Sequence, residues 1–158
     1  MTPQASHEMD LKPATSLAAM TAKSRRAALD RRLFLALGRG AVGGGRLRSE
    51  AYTGDRLEKQ LADIQADFVN DRHMYRLDRL TNTIAVSPIL SWHEAEFIAA
   101  YDKSDPKFAQ RSPVERAVVG FIAPSLLPSE RELVQKNEWK MTFLEMDWKL
   151  NDLGRRGE

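Results

Sequence analysis

Three Ser-x-x-Glu signatures stand in the second half of the chain, at Ser91 with Glu94, Ser112 with Glu115, and Ser129 with Glu132. A serine hydroxyl can accept from the third backbone N–H of a new helix while the glutamate reaches back to the serine N–H, so each signature predicts a helix start. Spaced this closely, they confine the region to short helices. The middle helix is the best defined. Pro113 fits its first turn, where no N–H is needed, and Val114, Ala117, Val118, Phe121 and Ile122 form one apolar face before Pro124.

Upstream, Asp55 and Glu58 predict another start, and Leu57, Leu61, Ile64 and Phe68 recur at helical spacing, giving a helix from Asp55 to Phe68. Between these helical regions the period changes to two. Tyr75 and Leu77 alternate with Arg76 and Asp78, and Ile84 and Val86 alternate with Thr83 and Ala85, which predicts a β-hairpin. Trp139, Met141 and Phe143 alternate with Lys140 and Thr142, predicting a last strand from Trp139 to Leu144. The expected fold class is α+β: a small antiparallel sheet packed by several short helices, with a mobile N-terminal tail.

Residues 1–31 form that basic tail, 32–152 the folded unit and 153–158 a charged C-terminal tail. The first fifty residues carry nine Lys+Arg against four Asp+Glu, and the remainder fifteen against eighteen. A basic front attracts anionic surfaces, but no aromatic residues interleave with its charges to stack on bases, so specific nucleic-acid binding is not expected. Segment Ser24 to Leu37 reads as a helix by propensity, while Leu33 to Leu37 reads equally as a short buried strand. Five glycines between Gly38 and Gly45 then predict a flexible loop.

The chain has no cysteine, which excludes disulfides, thiolate nucleophiles and Cys-ligated metal. No apolar run approaches the roughly 20 residues of a membrane-spanning helix. Arg31-Arg32-Leu33-Phe34-Leu35 has the form of a twin-arginine export motif, but Arg39 interrupts its apolar stretch and no small-residue cleavage site follows. A cytoplasmic location is expected, with twin-arginine export as the alternative.

Three blocks resemble domain-of-unknown-function family 547. They are Arg46-Leu47-Arg48-Ser49-Glu50-Ala51-Tyr52-Thr53-Gly54, Val86-Ser87-Pro88-Ile89-Leu90-Ser91-Trp92, and Phe143-Leu144-Glu145-Met146-Asp147-Trp148-Lys149-Leu150-Asn151. The second is similar to the family's Leu-Ser-Pro-Ile-Phe-Lys-Trp, the third to its closing Tyr-Asp-Trp-Ser-Leu-Asn. The resemblance covers roughly Arg32 to Asp152, the C-terminal half of the family domain. It implies a truncated unit, because no recognisable equivalent of the family's upstream helical portion precedes it.

The resemblance also implies a degenerate site. Phe34 stands where the family has His, Arg39 where it has its first Cys, and Gly44-Gly45 where it has Cys-Pro. If those positions supply a nucleophile and base, Phe34 cannot accept a proton and Arg39 cannot attack a carbonyl. The leading expectation is a non-catalytic remnant or interaction module, with a protein partner allowed for. The alternative is a hydrolase- or transferase-like enzyme with a pocket near Asp147, Trp148, Trp92 and His93. A third reading is an incompletely folded gene fragment that leaves Leu57, Phe97 and Phe121 partly exposed.

Each candidate also has a packing explanation. Asp147 suits a strand-exit turn and Trp148 a core position; Trp92, Phe97 and Tyr101 share helical spacing and suit a core. Gly38-Arg39-Gly40-Ala41-Val42-Gly43 matches a dinucleotide fingerprint literally, but Gly44-Gly45-Arg46 follows where a helix should open. His7, His73 and His93 lack ligand spacing, and His93 with Glu94 or Glu96 reads as a surface pair. Ser87 lacks the glycines of a nucleophile elbow. No cofactor and no metal are therefore expected.

Overall fold

The structure, a computed structural model, describes residues 30–37 and 40–152. The expected N-terminal tail up to residue 29, the C-terminal tail from 153, and Gly38 with Arg39 lie outside the described residues. The elements are α1 (Leu33–Ala36), a 3-10 turn (Val42–Gly44), α2 (Leu57–Asn70), β1 (Tyr75–Asp78), β2 (Thr83–Val86), α3 (Ile89–Trp92), α4 (Glu94–Tyr101), a turn at Pro106–Phe108, α5 (Pro113–Ile122), a turn at Ala123–Ser125, α6 (Pro128–Lys136) and β3 (Lys140–Phe143). This is an α+β architecture.

The sheet has the order β1-β2-β3. The β1–β2 pair is the expected antiparallel hairpin, with Tyr75 opposite Val86 and Leu77 opposite Ile84. By contrast, β3 runs parallel to β2, with Ile84 opposite Met141 and Val86 opposite Phe143, so the sheet is mixed and not antiparallel. The reason is topological: α3 to α6 intervene between β2 and β3 and supply the long crossover that a parallel pair requires, where a tight hairpin would have given an antiparallel one.

The helices pack around Phe121, which is fully buried and makes edge-on contacts with Phe68, Phe97 and Tyr101 at centroid distances of 5.2, 5.6 and 5.0 Å. Edge-to-face geometry sets the positive rim of one ring against the negative face of another. Phe97 and Phe121 are therefore buried, contrary to the exposure expected of an incomplete fragment. Leu57 is half-buried. Gly120 brings α4 against α5, since a Cβ there would lie 2.2 Å from the Tyr101 carbonyl oxygen.

Only one of the three Ser-x-x-Glu signatures forms a capping box. Ser112 Oγ accepts from Glu115 N at 3.4 Å and Glu115 Oε2 accepts from Ser112 N at 2.9 Å. Ser91 lies inside α3 and donates its hydroxyl to the Pro88 carbonyl at 2.7 Å, because Pro88 begins a helical turn earlier than the signature implies. Likewise Pro128 sets the first turn of α6, and Glu130 rather than Glu132 accepts from the N-terminal backbone, at Leu127 N. Asp55 does not cap α2, which begins at Leu57 and runs on to Asn70. Its entry is held instead by buried Gln60, which accepts from Thr53 N at 3.1 Å and donates to the Ala51 carbonyl at 3.0 Å. Leu61 and Phe68 are buried as expected, and Ile64 packs partly buried beside them.

Candidate functional site

The site begins with the backbone around the glycines. Val42–Gly44 form a 3-10 turn with Gly43 and Gly44 buried, instead of the flexible loop expected. Val42 N donates to the Lys149 carbonyl and Gly43 N to the Asp147 carbonyl, both at 2.9 Å, and Asn151 N donates to the Gly40 carbonyl at 2.7 Å. These bonds and the antiparallel bridge between Ala41 and Leu150 lace segment 147–151 onto 40–45. Paired backbone on both sides restrains segments that composition alone reads as free.

That lacing sets Trp148 beside Trp92. Their rings lie 6.0 Å apart between centroids and 11° from parallel. Trp92 is 47% exposed and Trp148 66%, so neither is the core residue its spacing suggests. Trp148 faces outward because neighbouring Asp147 and Lys149 commit their backbone carbonyls to the glycine turn. The Asp147 carboxylate accepts from Lys149 N at 3.0 Å, the strand-exit turn expected of it.

His93 takes no part in a surface pair with Glu94 or Glu96 among the bonds described. Its ring stacks on Phe34 of α1, with centroids 3.8 Å apart and planes 9° from parallel. Phe34 also approaches Phe97 at 6.4 Å, which connects this contact to the core. Nearby, Arg31 Nε donates to the Glu96 carbonyl at 3.3 Å. Arg32 spans Asp30 and Glu58, holding both carboxyls below their usual range through hydrogen bonds, and its own guanidinium is driven further toward the charged form. Ser87 is fully buried, its hydroxyl accepting from Ile89 N at 3.3 Å, as befits a strand-to-helix turn.

The structure thus brings Trp92 to Trp148 and His93 to Phe34, but joins them with Asp147 in no cavity described. The largest described cleft, about 580 Å³, is lined by other residues, among them Arg46, Asp67, Asp71, His73 and Asn151. An adjoining space of about 240 Å³ lies between Arg48, Glu50 and Asp63. Arg48 donates to Glu50 at 3.0 Å and Arg56 to the other oxygen at 2.7 Å. The hydrogen bond from Arg56, followed by those from Arg48 and Gln60, lowers the Glu50 pKa to about 2.

Sequence reasoning missed this second region. Asp67 and Asp71 are four residues apart and Arg46 alternates with Arg48, a signal of shared faces, but nothing in the spacing sets the arginines against α2. The charges are mixed in sign and in part paired, Arg46 with Asp67 at 3.9 Å and Arg48 with Glu50 at 3.0 Å and Asp63 at 3.7 Å. Among the described residues, no group of three or more His, Cys, Asp or Glu side chains could hold a metal ion. No described helix is long and apolar enough to cross a membrane.

Comparison with family models, curated proteins and solved structures finds no match for this chain.

Proposed function

We propose that this chain is a non-catalytic interaction module derived from the C-terminal half of a family-547-like domain, and that it meets a protein partner through the Trp92–Trp148 face. The observation that carries the reading is the pair itself: two stacked indoles, 47% and 66% exposed, presented on hydrogen-bonded backbone. Exposed aromatic side chains on a rigid support supply large contact area at low entropic cost, and tryptophan is enriched among residues that dominate interface energies.

The non-catalytic part of the reading is supported at the degenerate positions. Phe34 offers no proton acceptor, and its ring covers a face of the nearest imidazole, His93. The Asp147 carboxylate is committed to a turn, accepting from Lys149 N at 3.0 Å, and no nucleophile or base hydrogen-bonds to it among the described residues. For the enzymatic alternative, no described cleft joins Asp147, Trp148, Trp92 and His93. The same reading expects a cytoplasmic chain, and the engagement of Arg31 with the Glu96 carbonyl and of Arg32 with Glu58 supports it.

The test is a screen of the purified chain against ester, amide and acyl-transfer substrates, with Asp147→Ala and His93→Ala alongside. The expected result is no turnover above background in any of the three. Turnover by the wild type that either variant abolishes would overturn the proposal in favour of the enzyme.

A further inference from the structure

A second feature, independent of the tryptophan face, lies where α4, α5 and α6 meet. A partly enclosed cavity of about 190 Å³ is lined by Tyr101, Phe108, Val119, Gly120, Ala123 and Pro124. The close approach of α4 to α5 at Gly120 fixes one side. Just beyond it Ser104 adopts a positive φ of 50°, turning the chain toward Pro106–Phe108. An apolar cavity of about 150 Å³ is large enough to take benzene. This one, of similar volume but partly open and with polar residues in its lining, has room for a single ring with a small polar substituent.

The polar residues of its lining define that substituent. Arg116 spends its guanidinium on the Asp102 carboxylate, at 2.9 and 2.8 Å, and on the Arg111 carbonyl at 2.6 Å. That pair contributes no net charge. Lys103, Asp105 and Gln135 also line the cavity, one cation, one anion and one neutral amide, with one Asp105 oxygen occupied by Lys107 N at 2.9 Å. The polar lining therefore offers donors and acceptors with balanced charge. A carboxylate would meet Asp105 unfavourably and an ammonium would meet Lys103, whereas a hydroxyl both donates and accepts.

We propose that this cavity binds a small uncharged aromatic alcohol, the ring against Phe108 and Val119 and the hydroxyl between Lys103 and Asp105. The probe is phenol, titrated into the full chain by two-dimensional amide NMR, with benzoate and anilinium as charged comparators. Saturable shifts concentrated at residues 119–124 are expected, with both charged probes at least fivefold weaker. Ala123→Leu, which fills the cavity, should weaken phenol at least tenfold, and Lys103→Met, an exposed change that spares the core, about threefold. Thermal transitions of both variants confirm their folding. Absence of saturable phenol binding, or binding that a folded Ala123→Leu leaves unchanged, would overturn the proposal; equal affinity for benzoate or anilinium would overturn the assigned class.

Discussion

Gly43 donates its backbone N–H to the Asp147 carbonyl at 2.9 Å, and a Cβ at position 43 would lie 2.7 Å from the Asp147 nitrogen. The glycine turn and the tryptophan-bearing segment therefore fit only if residue 43 has no side chain. Gly43→Ala forces the two strips apart and should cost about 1–3 kcal/mol, the usual penalty for overpacking a filled site. Urea unfolding measures the loss, and the near-UV signal of Trp148 should weaken in the folded variant.

The helix starts give a paired prediction. Ser112→Ala removes a real cap and should cost about 1 kcal/mol. Ser129→Ala, at a position with the same sequence signature, removes only an exposed contact from Arg79 at 3.2 Å and should change stability by less than about 0.5 kcal/mol. Chemical denaturation of the two variants side by side separates them.

That contrast marks how far the residues could be read. Periodicity located α2, the hairpin, α5 and β3 because apolar spacing reports a buried face directly. Helix starts were less legible: Pro88 and Pro128 each begin a helical turn ahead of the serine that spacing favours. The direction of β3 depends on the path of the chain between strands, which no local pattern encodes. The outward turn of Trp148 comes from bonds between residues about a hundred positions apart, so its apolar character alone pointed to the core. The pairing of Arg46 and Arg48 is illegible for the same reason: their carboxylate partners Asp67 and Asp63 lie on α2.

Tyr75 is 4% exposed, and its buried hydroxyl has no hydrogen-bond partner among the described residues. Burial accordingly raises its pKa. Tyr75→Phe removes a polar group that pays desolvation without return, so stability should hold or rise by up to about 1–2 kcal/mol. A loss of stability measured by thermal unfolding would contradict this account of the site.

The carboxylates give a pH dependence of defined sign. Glu50 is lowered from 4.5 to about 2 by Arg56, Arg48 and Gln60, and Asp30, Glu58 and Asp102 are lowered by their arginine partners. A depressed folded-state pKa means the unfolded chain binds protons first, so stability is fully present above the ordinary carboxylate value and is lost as pH falls toward 2. Urea midpoints should fall from pH 5 to pH 2.5, more steeply at low salt. Glu50→Gln should flatten part of that slope.

Binding through the Trp92–Trp148 face is tested by retention of a protein from an extract of the source cell on the immobilised chain. Wild type, Trp92→Ser, Trp148→Ser and Leu80→Ser should be compared after their thermal transitions are shown to agree. Leu80, 97% exposed at the hairpin tip, serves as an apolar surface control. One protein should be retained in fixed stoichiometry by wild type and Leu80→Ser and released by both tryptophan variants. Retention indifferent to both tryptophans, or no retained protein at all, would contradict it.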